Sequence, residues 1–150
     1  MEIKIPVTKY MSTQLITFTP DVDIREATRI LLKNNISGAP VVDKDGKLIG
    51  ILSERDCIQL ILDGDYNQIP YGSGTVGDYM STQLKTIDAS KTIVDAAYEF
   101  VNTPYRRFPV LEDGKLVGQI SRRDILKAID NISPKKTIVP DSWKPRKPQI

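Results

Sequence analysis

The feature that most constrains how this chain can fold is an internal duplication. Residues 10–15, Tyr-Met-Ser-Thr-Gln-Leu, recur letter for letter as residues 79–84, a shift of 69 positions. Farther along the shift becomes 68, so that Asp-Gly-Lys-Leu at 45–48 recurs at 113–116. Each copy alone is too small to bury a large core. We therefore expect the two copies to pack face to face about a pseudo-two-fold axis.

Hydrophobic spacing and turn residues predict one order of elements in both copies: strand, helix, strand, strand, helix. In the first copy we expect strands at residues 16–18, 39–42 and 48–52, a helix after Asp23 and a second helix at 54–62. In the second copy we expect strands at 85–87, 108–111 and 116–120, a helix after Thr92 and a second helix at 122–129. Asp23 with Glu26, and Thr92 with Asp95, have the spacing of capping boxes, and each Asp-Gly pair predicts a hairpin turn. The predicted fold class is α/β (α+β), built from two β-α-β-β-α repeats.

The chain divides into a first copy at 1–63, a linker at 64–75, a second copy at 76–132 and a basic, proline-rich tail at 133–150. We expect the tail to be extended and largely irregular. Its five basic residues and Trp143 could contact phosphates and stack on a base, but so few charges bind weakly at physiological salt. The alternatives are a solvated terminus and an arm that packs Trp143 on its own domain, so no nucleic-acid partner is predicted.

The composition argues against several classes of function. There is no histidine, which removes the commonest general base and the commonest metal ligand. With Cys57 as the one cysteine, we predict no metal site, no catalytic residues and no enzymatic activity. Cys57 is expected to be a buried core thiol. A chain with a single cysteine can form no internal disulfide, which suits a reducing, cytoplasmic location. No apolar run approaches the roughly 20 residues of a membrane helix, and no signal peptide is expected.

Over about residues 5–130 the chain resembles the CBS domain family, named after cystathionine β-synthase, in its usual tandem pair. The resemblance rests on the repeated element order, the Pro-Val strand, the Asp-Gly turn and a closing Gly-x-x-Ser-x-x-Asp in each copy. It implies an adenosyl ligand (AMP, ADP, ATP or S-adenosylmethionine) in the cleft between the copies, with no cofactor required. It also implies a homodimer and a regulatory function that an unknown effector protein reads. The alternative is a purely structural dimerisation module with empty clefts.

The closing segments at 50–56 and 118–124 suit a nucleotide. A strand delivers Ser53 or Ser121 to the first turn of a helix, where unpaired backbone N–H groups attract phosphate oxygens. Three residues later an aspartate, Asp56 or Asp124, could accept hydrogen bonds from ribose hydroxyls. The neighbouring Arg55 and Arg123 could offer charge to phosphate. The alternative is that Ser-x-x-Asp is only a capping box.

The segments before the Pro-Val strands differ between the copies, which predicts unequal clefts. The first copy has Ser37-Gly38-Ala39, whose small side chains would let a base or ribose approach the backbone. The second has Arg106-Arg107-Phe108, interpreted as an anion site that favours a phosphorylated ligand, the alternative being a solvated charge pair. The predicted ligand-binding residues are Thr17, Ser37, Gly38, Ala39, Ser53, Arg55, Asp56, Thr86, Arg106, Arg107, Phe108, Ser121, Arg123 and Asp124. For Thr17 and Thr86 the alternative is strand termination, and Tyr10, Met11, Tyr79 and Met80 are expected to pack.

Overall fold

The computed structural model describes residues 3–66, 73–132 and 142. In the first copy a 3₁₀ turn at Val7–Lys9 precedes helix α1 (Ile24–Lys33), strands β1 (Gly38–Val42) and β2 (Leu48–Ser53), and helix α2 (Glu54–Tyr66). In the second copy helix α3 (Val76–Tyr79) precedes strand β3 (Ile87–Asp88), helix α4 (Ile93–Asn102), strands β4 (Arg107–Glu112) and β5 (Lys115–Ser121), and helix α5 (Arg122–Asn131). Strands β1 and β2 form an antiparallel hairpin, and β4 pairs with β3 in parallel and with β5 antiparallel. The predicted fold class is confirmed.

The first strand of the first copy is shorter than predicted. Only Phe18 pairs with β1, through an isolated parallel bridge to Val41. In the second copy β3 lies at Ile87–Asp88, and the backbone N–H of the next residue, Ala89, donates to the carbonyl oxygen of Leu111 at 2.8 Å. The residue at the position of Ala89 in the first copy is Pro20, which has no N–H to donate. Pairing with β1 therefore goes no farther than Phe18, one residue less than in the second copy, and the predicted strand residues 16 and 17 do not pair with β1.

Helix α2 is longer than predicted, because it continues to Tyr66. Its last residues lie within the segment 64–75, which the sequence predicts to be a linker. One turn before the end, Nε2 of Gln59 donates a hydrogen bond to Oδ1 of Asp63 at 3.0 Å, an i,i+4 contact that supports the helix. The rest of that segment up to Gly72, and the tail with Trp143, lie outside the described residues.

One of the two predicted capping boxes is complete. Asp95 Oδ2 accepts from the backbone N–H of Thr92 at 2.9 Å, and the Thr92 hydroxyl accepts from the N–H of Asp95 at 3.2 Å. Before α1, Asp23 caps the helix by accepting from the N–H groups of Arg25 and Glu26. The Glu26 carboxylate lies 3.7 Å from the guanidinium of Arg29 and does not accept from the N–H of Asp23. The second bond of that predicted capping box is therefore wrong. Both hairpin turns form as predicted, with positive φ at their glycines.

The two copies exchange their opening segments. Val7 is fully buried in the core of the second copy, and Val76 in the core of the first. Ser12 forms an antiparallel bridge with Gln119, and Ser81 forms the equivalent bridge with Ile51. These paired contacts are related by exchange of the copies, which is the expected pseudo-two-fold arrangement. Lys47 and Lys115, which are counterparts in the repeat, bridge each other where the two hairpins meet.

Among the described residues, no helix is both long enough and apolar enough to cross a membrane. The described part of the chain also contains no cluster of three or more Cys, Asp or Glu side chains placed to hold a metal ion.

Candidate functional site

The Ser-x-x-Asp segment of the second copy forms a capping box at the start of α5. The backbone N–H of Ser121 donates to Oδ2 of Asp124 at 2.8 Å, and the N–H of Asp124 donates to the Ser121 hydroxyl at 3.1 Å. The strand places Ser121 at the N-cap, where the helix N–H groups need acceptors. Among the described residues no donor reaches the other carboxylate oxygen, Oδ1 of Asp124, which remains available as an acceptor.

The equivalent pair in the first copy is more tightly engaged. Oδ2 of Asp56 accepts from the N–H of Ser53 at 2.8 Å and from the Ser53 hydroxyl at 2.9 Å. The Ser53 hydroxyl in turn accepts from the N–H of Asp56 at 3.2 Å. The Ser53 proton is thus used within the cap, whereas the Ser121 hydroxyl makes no such bond to Asp124. Both Ser-x-x-Asp segments therefore act as helix caps, which was the alternative to ligand binding. In the second copy the Ser121 hydroxyl still has its proton available to donate.

A cleft of about 300 Å³ lies between the copies at the Ser121 cap. From the second copy it is lined by Arg107, Gln119, Ser121 and Asp124; from the first it is lined by Ser12, Gln14, Leu15, Ile16, Ile36, Gly38 and Pro40. Its volume is at the lower end of the range for small-molecule sites. The first copy contributes aliphatic side chains together with Ser12 and Gln14, and the second contributes the serine, the aspartate and the arginine. This arrangement can hold a flat ring beside a polar group.

The charged groups of this cleft are Arg107 and Asp124. Arg107 is exposed and forms no ion pair with a described residue. It begins β4 opposite Ser121 on β5, so its position in the register brings the guanidinium close to the serine cap. A guanidinium that is not paired in the protein can bind a phosphate or carboxylate in bidentate fashion. Of the two arginines predicted to form an anion site, Arg107 lines the cleft, and its binding of an anion remains a prediction.

Gln119 is a cleft residue that the sequence reasoning missed. Side chains two apart on a strand share a face, so Gln119 and Ser121 both face the cleft, while Gly118 and Ile120 are buried on the other face. The Gln119 side-chain amide has no hydrogen-bond partner among the described residues. Its backbone pairs with Ser12, donating and accepting at 2.9 and 2.8 Å. The exact repeat of residues 10–15 was the available signal, because it marks the segment that pairs here.

Several predicted site residues lie outside this cleft. Thr17, Ser37, Arg55, Arg106 and Arg123 are exposed and are not among the residues that line it. Thr86 borders a separate groove along α4, and Arg55 with Asp56 borders another beside Tyr79. Ser37 and Arg106 instead use their backbone carbonyl oxygens, which accept from the N–H groups of Glu54 and Arg122 at 2.9 and 3.0 Å. These bonds hold the loop before each Pro-Val strand against the following helix.

Two of the predicted ligand-contact residues are buried in the structure. Phe108 is fully buried in the core of the second copy, where its ring stacks on Phe100 with centroids 4.4 Å apart. Ala39 is buried in the core of the first copy. Both lie one residue before the proline of a central strand, and the face of the strand that they occupy packs against the helices. Burial of these side chains leaves them no surface for a ligand.

The glycines of the Gly-x-x-Ser-x-x-Asp segments serve packing between the copies. A Cβ on Gly50 would lie 2.5 Å from the sulfur of Met80, and one on Gly118 would lie 2.6 Å from the sulfur of Met11. Each methionine comes from the exchanged opening segment of the other copy. The prediction that Met11 and Met80 are packing residues is confirmed, and the sequence offered no reason for the glycines beyond the resemblance.

Arg122 has a structural role that the sequence did not reveal. Its Nε donates to the carbonyl oxygen of Tyr105 at 3.0 Å, and its Nη2 donates to that of Thr103 at 3.3 Å. These bonds tie the segment between α4 and β4 to the start of α5, and so support the loop that presents Arg107.

Cys57 packs at the edge of the first core but is half-buried, and not fully buried as predicted. Burial raises the pKa of its thiol, with the nearby Asp56 and Glu54 carboxylates adding to the effect and a hydrogen bond with Thr28 opposing it. A raised pKa leaves less of the nucleophilic thiolate at neutral pH.

Comparison with known proteins identifies the repeated unit. The CBS domain family model matches residues 7–63 and 76–131. An uncharacterized protein of Methanocaldococcus jannaschii, MJ1225, is 33% identical over 125 residues, which cover 83% of this chain and 42% of that protein. The chain thus spans less than half of that relative's length.

Two solved structures show the same fold with bound ligands. The crystal structure of CBSX2, a protein of Arabidopsis thaliana, in complex with AMP matches with a TM-score of 0.74 and 29% identity, covering 85% of this chain and 98% of that one. The CBS domain pair of protein MJ0100, in complex with 5-methylthioadenosine and S-adenosyl-L-methionine, matches with a TM-score of 0.68 and 25% identity, covering 85% of this chain and 98% of that one. With two matched domains, exchanged opening segments and a serine-capped cleft between the copies, this chain belongs to the CBS domain family as a tandem pair.

Proposed function

We propose that this chain is a regulatory module that binds an adenosyl ligand (AMP, ADP, ATP or S-adenosylmethionine) in the cleft at Ser121 and relays its presence to a partner protein. The observation that carries the proposal is the meeting of Arg107, Ser121 and Asp124 with the apolar residues of the first copy in one cleft. The AMP complex of CBSX2 and the S-adenosyl-L-methionine complex of MJ0100 support the ligand class.

The cleft offers a distinct group to each part of such a ligand. The apolar side chains of Ile16 and Ile36 can flank an adenine ring. Oδ1 of Asp124 can accept from ribose hydroxyls without breaking the capping box, because the box uses Oδ2. The Ser121 hydroxyl and Arg107 can bind a phosphate or a carboxylate.

Regulation follows from where the ligand would lie. The cleft takes side chains from both copies, so a ligand that fills it favours one relative arrangement of them over others. A partner protein that recognises that arrangement would then bind more tightly when the ligand is present, and the coupling would be reciprocal. Since the described residues supply no histidine and no metal cluster, we propose binding and not catalysis as the activity.

Calorimetric titration of the purified full chain with AMP, ADP, ATP and S-adenosylmethionine tests the proposal. We expect heat of binding with at least one of them, and a weaker response in an Asp124→Ala variant. The absence of heat and of a melting shift with all four at millimolar concentration would contradict the proposal.

We also propose that the chain forms a homodimer through its helices. The helix pairs of both copies expose apolar side chains: Leu32, Ile58 and Ile61 on α1 and α2, and Tyr98, Val101, Leu126 and Ile129 on α4 and α5. Apolar surface of this extent on a small protein favours association. Sedimentation of the native chain should give a dimer, and Ile61→Lys with Leu126→Lys should give a monomer that stays folded.

The second candidate function is a structural dimerisation module with empty clefts. The observation in its favour is that both Ser-Asp pairs are used as helix caps. A dimer whose sedimentation and melting are unchanged by every adenosyl ligand would support it over ligand sensing. A reducing, cytoplasmic location remains a prediction from the single cysteine.

A further inference from the structure

We propose that each chain binds one ligand molecule, in the cleft of Asp124, and that the counterpart cleft of Asp56 is not a second equivalent site. This inference rests on the proposed function and goes further by assigning the stoichiometry. The counterpart cleft is defined by exchange of the copies: its serine and aspartate are Ser53 and Asp56, and its other walls follow from the repeat.

Gly38 and Arg107 are counterparts in the repeat, and both line the Asp124 cleft. Arg107 lies opposite Ser121 on the neighbouring strand and supplies the positive charge there. Gly38 lies opposite Ser53 in the same way and has no side chain to supply one. This pair of residues therefore gives a positive charge to the Asp124 cleft and none to its counterpart.

The apolar wall is also replaced in the counterpart cleft. Lys85 occupies the position of Ile16, and Tyr105 occupies the position of Ile36. Lys85 is already paired with Glu99 on α4, with Nζ and Oε2 3.0 Å apart. The Tyr105 ring lies against Phe108, with centroids 5.9 Å apart. Each of these two side chains is engaged within the second copy, so the counterpart cleft has a paired lysine and a tyrosine where the Asp124 cleft has two isoleucines.

The polar wall of the counterpart cleft also lacks groups that the Asp124 cleft has. Gln119, whose amide faces the Asp124 cleft without a partner among the described residues, is replaced by Ile51. The Ser53 hydroxyl donates to Asp56 at 2.9 Å, whereas the Ser121 hydroxyl makes no such bond to Asp124. The polar wall of the counterpart cleft thus has fewer free hydrogen-bonding groups to offer a ligand.

Titration calorimetry of the full chain with AMP, and in parallel with S-adenosylmethionine, tests the inference. We expect one ligand molecule per chain. Asp124→Asn should lower affinity by about tenfold or more, because a hydrogen bond to a charged acceptor is lost, while Asp56→Asn should change it by no more than about twofold. The two variants are matched, because each removes the same charge from the same kind of capping box.

Circular dichroism establishes that both variants are folded, and Arg107→Ala, which lies outside both caps, is a second probe expected to weaken AMP binding. Two molecules per chain with similar affinity, or an equal loss in Asp56→Asn and Asp124→Asn, would overturn the inference and leave the proposed function intact. No binding of AMP, ADP, ATP or S-adenosylmethionine to the native chain would overturn the proposed function itself.

Discussion

Val7 and Val76 are counterparts in the repeat, and each is fully buried in the core of the opposite copy. The bond pattern repeats as well: the N–H of Val7 donates to the carbonyl oxygen of Lys91 at 2.9 Å, and the N–H of Val76 donates to that of Val22 at 2.8 Å. Because each core is completed by a residue of the other copy, neither copy can bury its apolar side chains alone. The same exchange of opening segments fixes the two copies on either side of the cleft.

Truncating the exchanged valines should destabilise the whole chain. We expect Val7→Ala or Val76→Ala to lower the free energy of unfolding by about 2 kcal/mol, from lost burial plus the cavity left behind. Urea unfolding followed by circular dichroism measures this. Lys44→Ala is the control, because Lys44 is exposed in the turn of the first hairpin and its truncation should cost less than about 0.5 kcal/mol. Equal effects at all three positions would contradict the exchanged cores.

Gly118→Ala should separate the copies locally. The new Cβ would lie 2.6 Å from the Met11 sulfur and 2.8 Å from the Ser12 carbonyl oxygen, and the backbone oxygen cannot move aside cheaply. We expect a loss of about 1–3 kcal/mol, as for other overpacked positions. The measurement is again the free energy of unfolding, with Lys115→Ala on the exposed end of the same strand as the control. A Gly118→Ala variant of native stability would show that Met11 and Ser12 can move away from this position at little cost.

Arg107→Ala should discriminate between ligands by their charge. If the guanidinium binds phosphate, AMP affinity should fall by about tenfold, whereas adenosine affinity should stay within about twofold. Titration of the native chain and the variant with both compounds gives the four affinities required. Equal losses for AMP and adenosine would mean that Arg107 shapes the cleft without binding the phosphate.

Acid should weaken the cap of α4. Hydrogen bonds from the backbone and side chain of Thr92 lower the pKa of the Asp95 carboxyl from its ordinary 3.8, with a smaller contribution from Lys91. A group whose folded pKa is lowered stabilises the fold above its ordinary pKa, and that stability is lost as the pH falls through the folded value. The free energy of unfolding should therefore decline between about pH 5 and pH 2, and less steeply in Asp95→Asn.

The same pH series on Glu112→Gln is the control, because Glu112 is an exposed carboxylate on β4. Asp88 contributes in the same direction as Asp95, since hydrogen bonds from Ser90 lower the pKa of its carboxyl too. Asp95→Asn should therefore reduce the decline without removing it. A decline that is identical in the native chain and in Asp95→Asn would assign the acid sensitivity to other groups.

Local patterns account for most of what could be predicted. Helix spacing, the Thr92-Asp95 box and the Asp-Gly turns act over a few residues, so they are readable from the chain alone. The end of the first strand at Phe18 also agrees with the sequence, because Pro20 stands at the position of Ala89 and cannot donate. The burial of Phe108 could not be predicted from the sequence. An aromatic residue beside two arginines suits a ligand site or a core equally until the face of the strand is known.

By itself, the sequence determined the duplication, the order of the elements and the presence of two Ser-Asp pairs, because identity and spacing are properties of the chain. Only the tertiary structure decided that the opening segments are exchanged, that Met11 covers Gly118, and that Gly38 and Arg107 meet at one cleft. These contacts join residues far apart in the chain. Their partners are selected by how the two copies pack against each other, and local pattern carries no record of that choice.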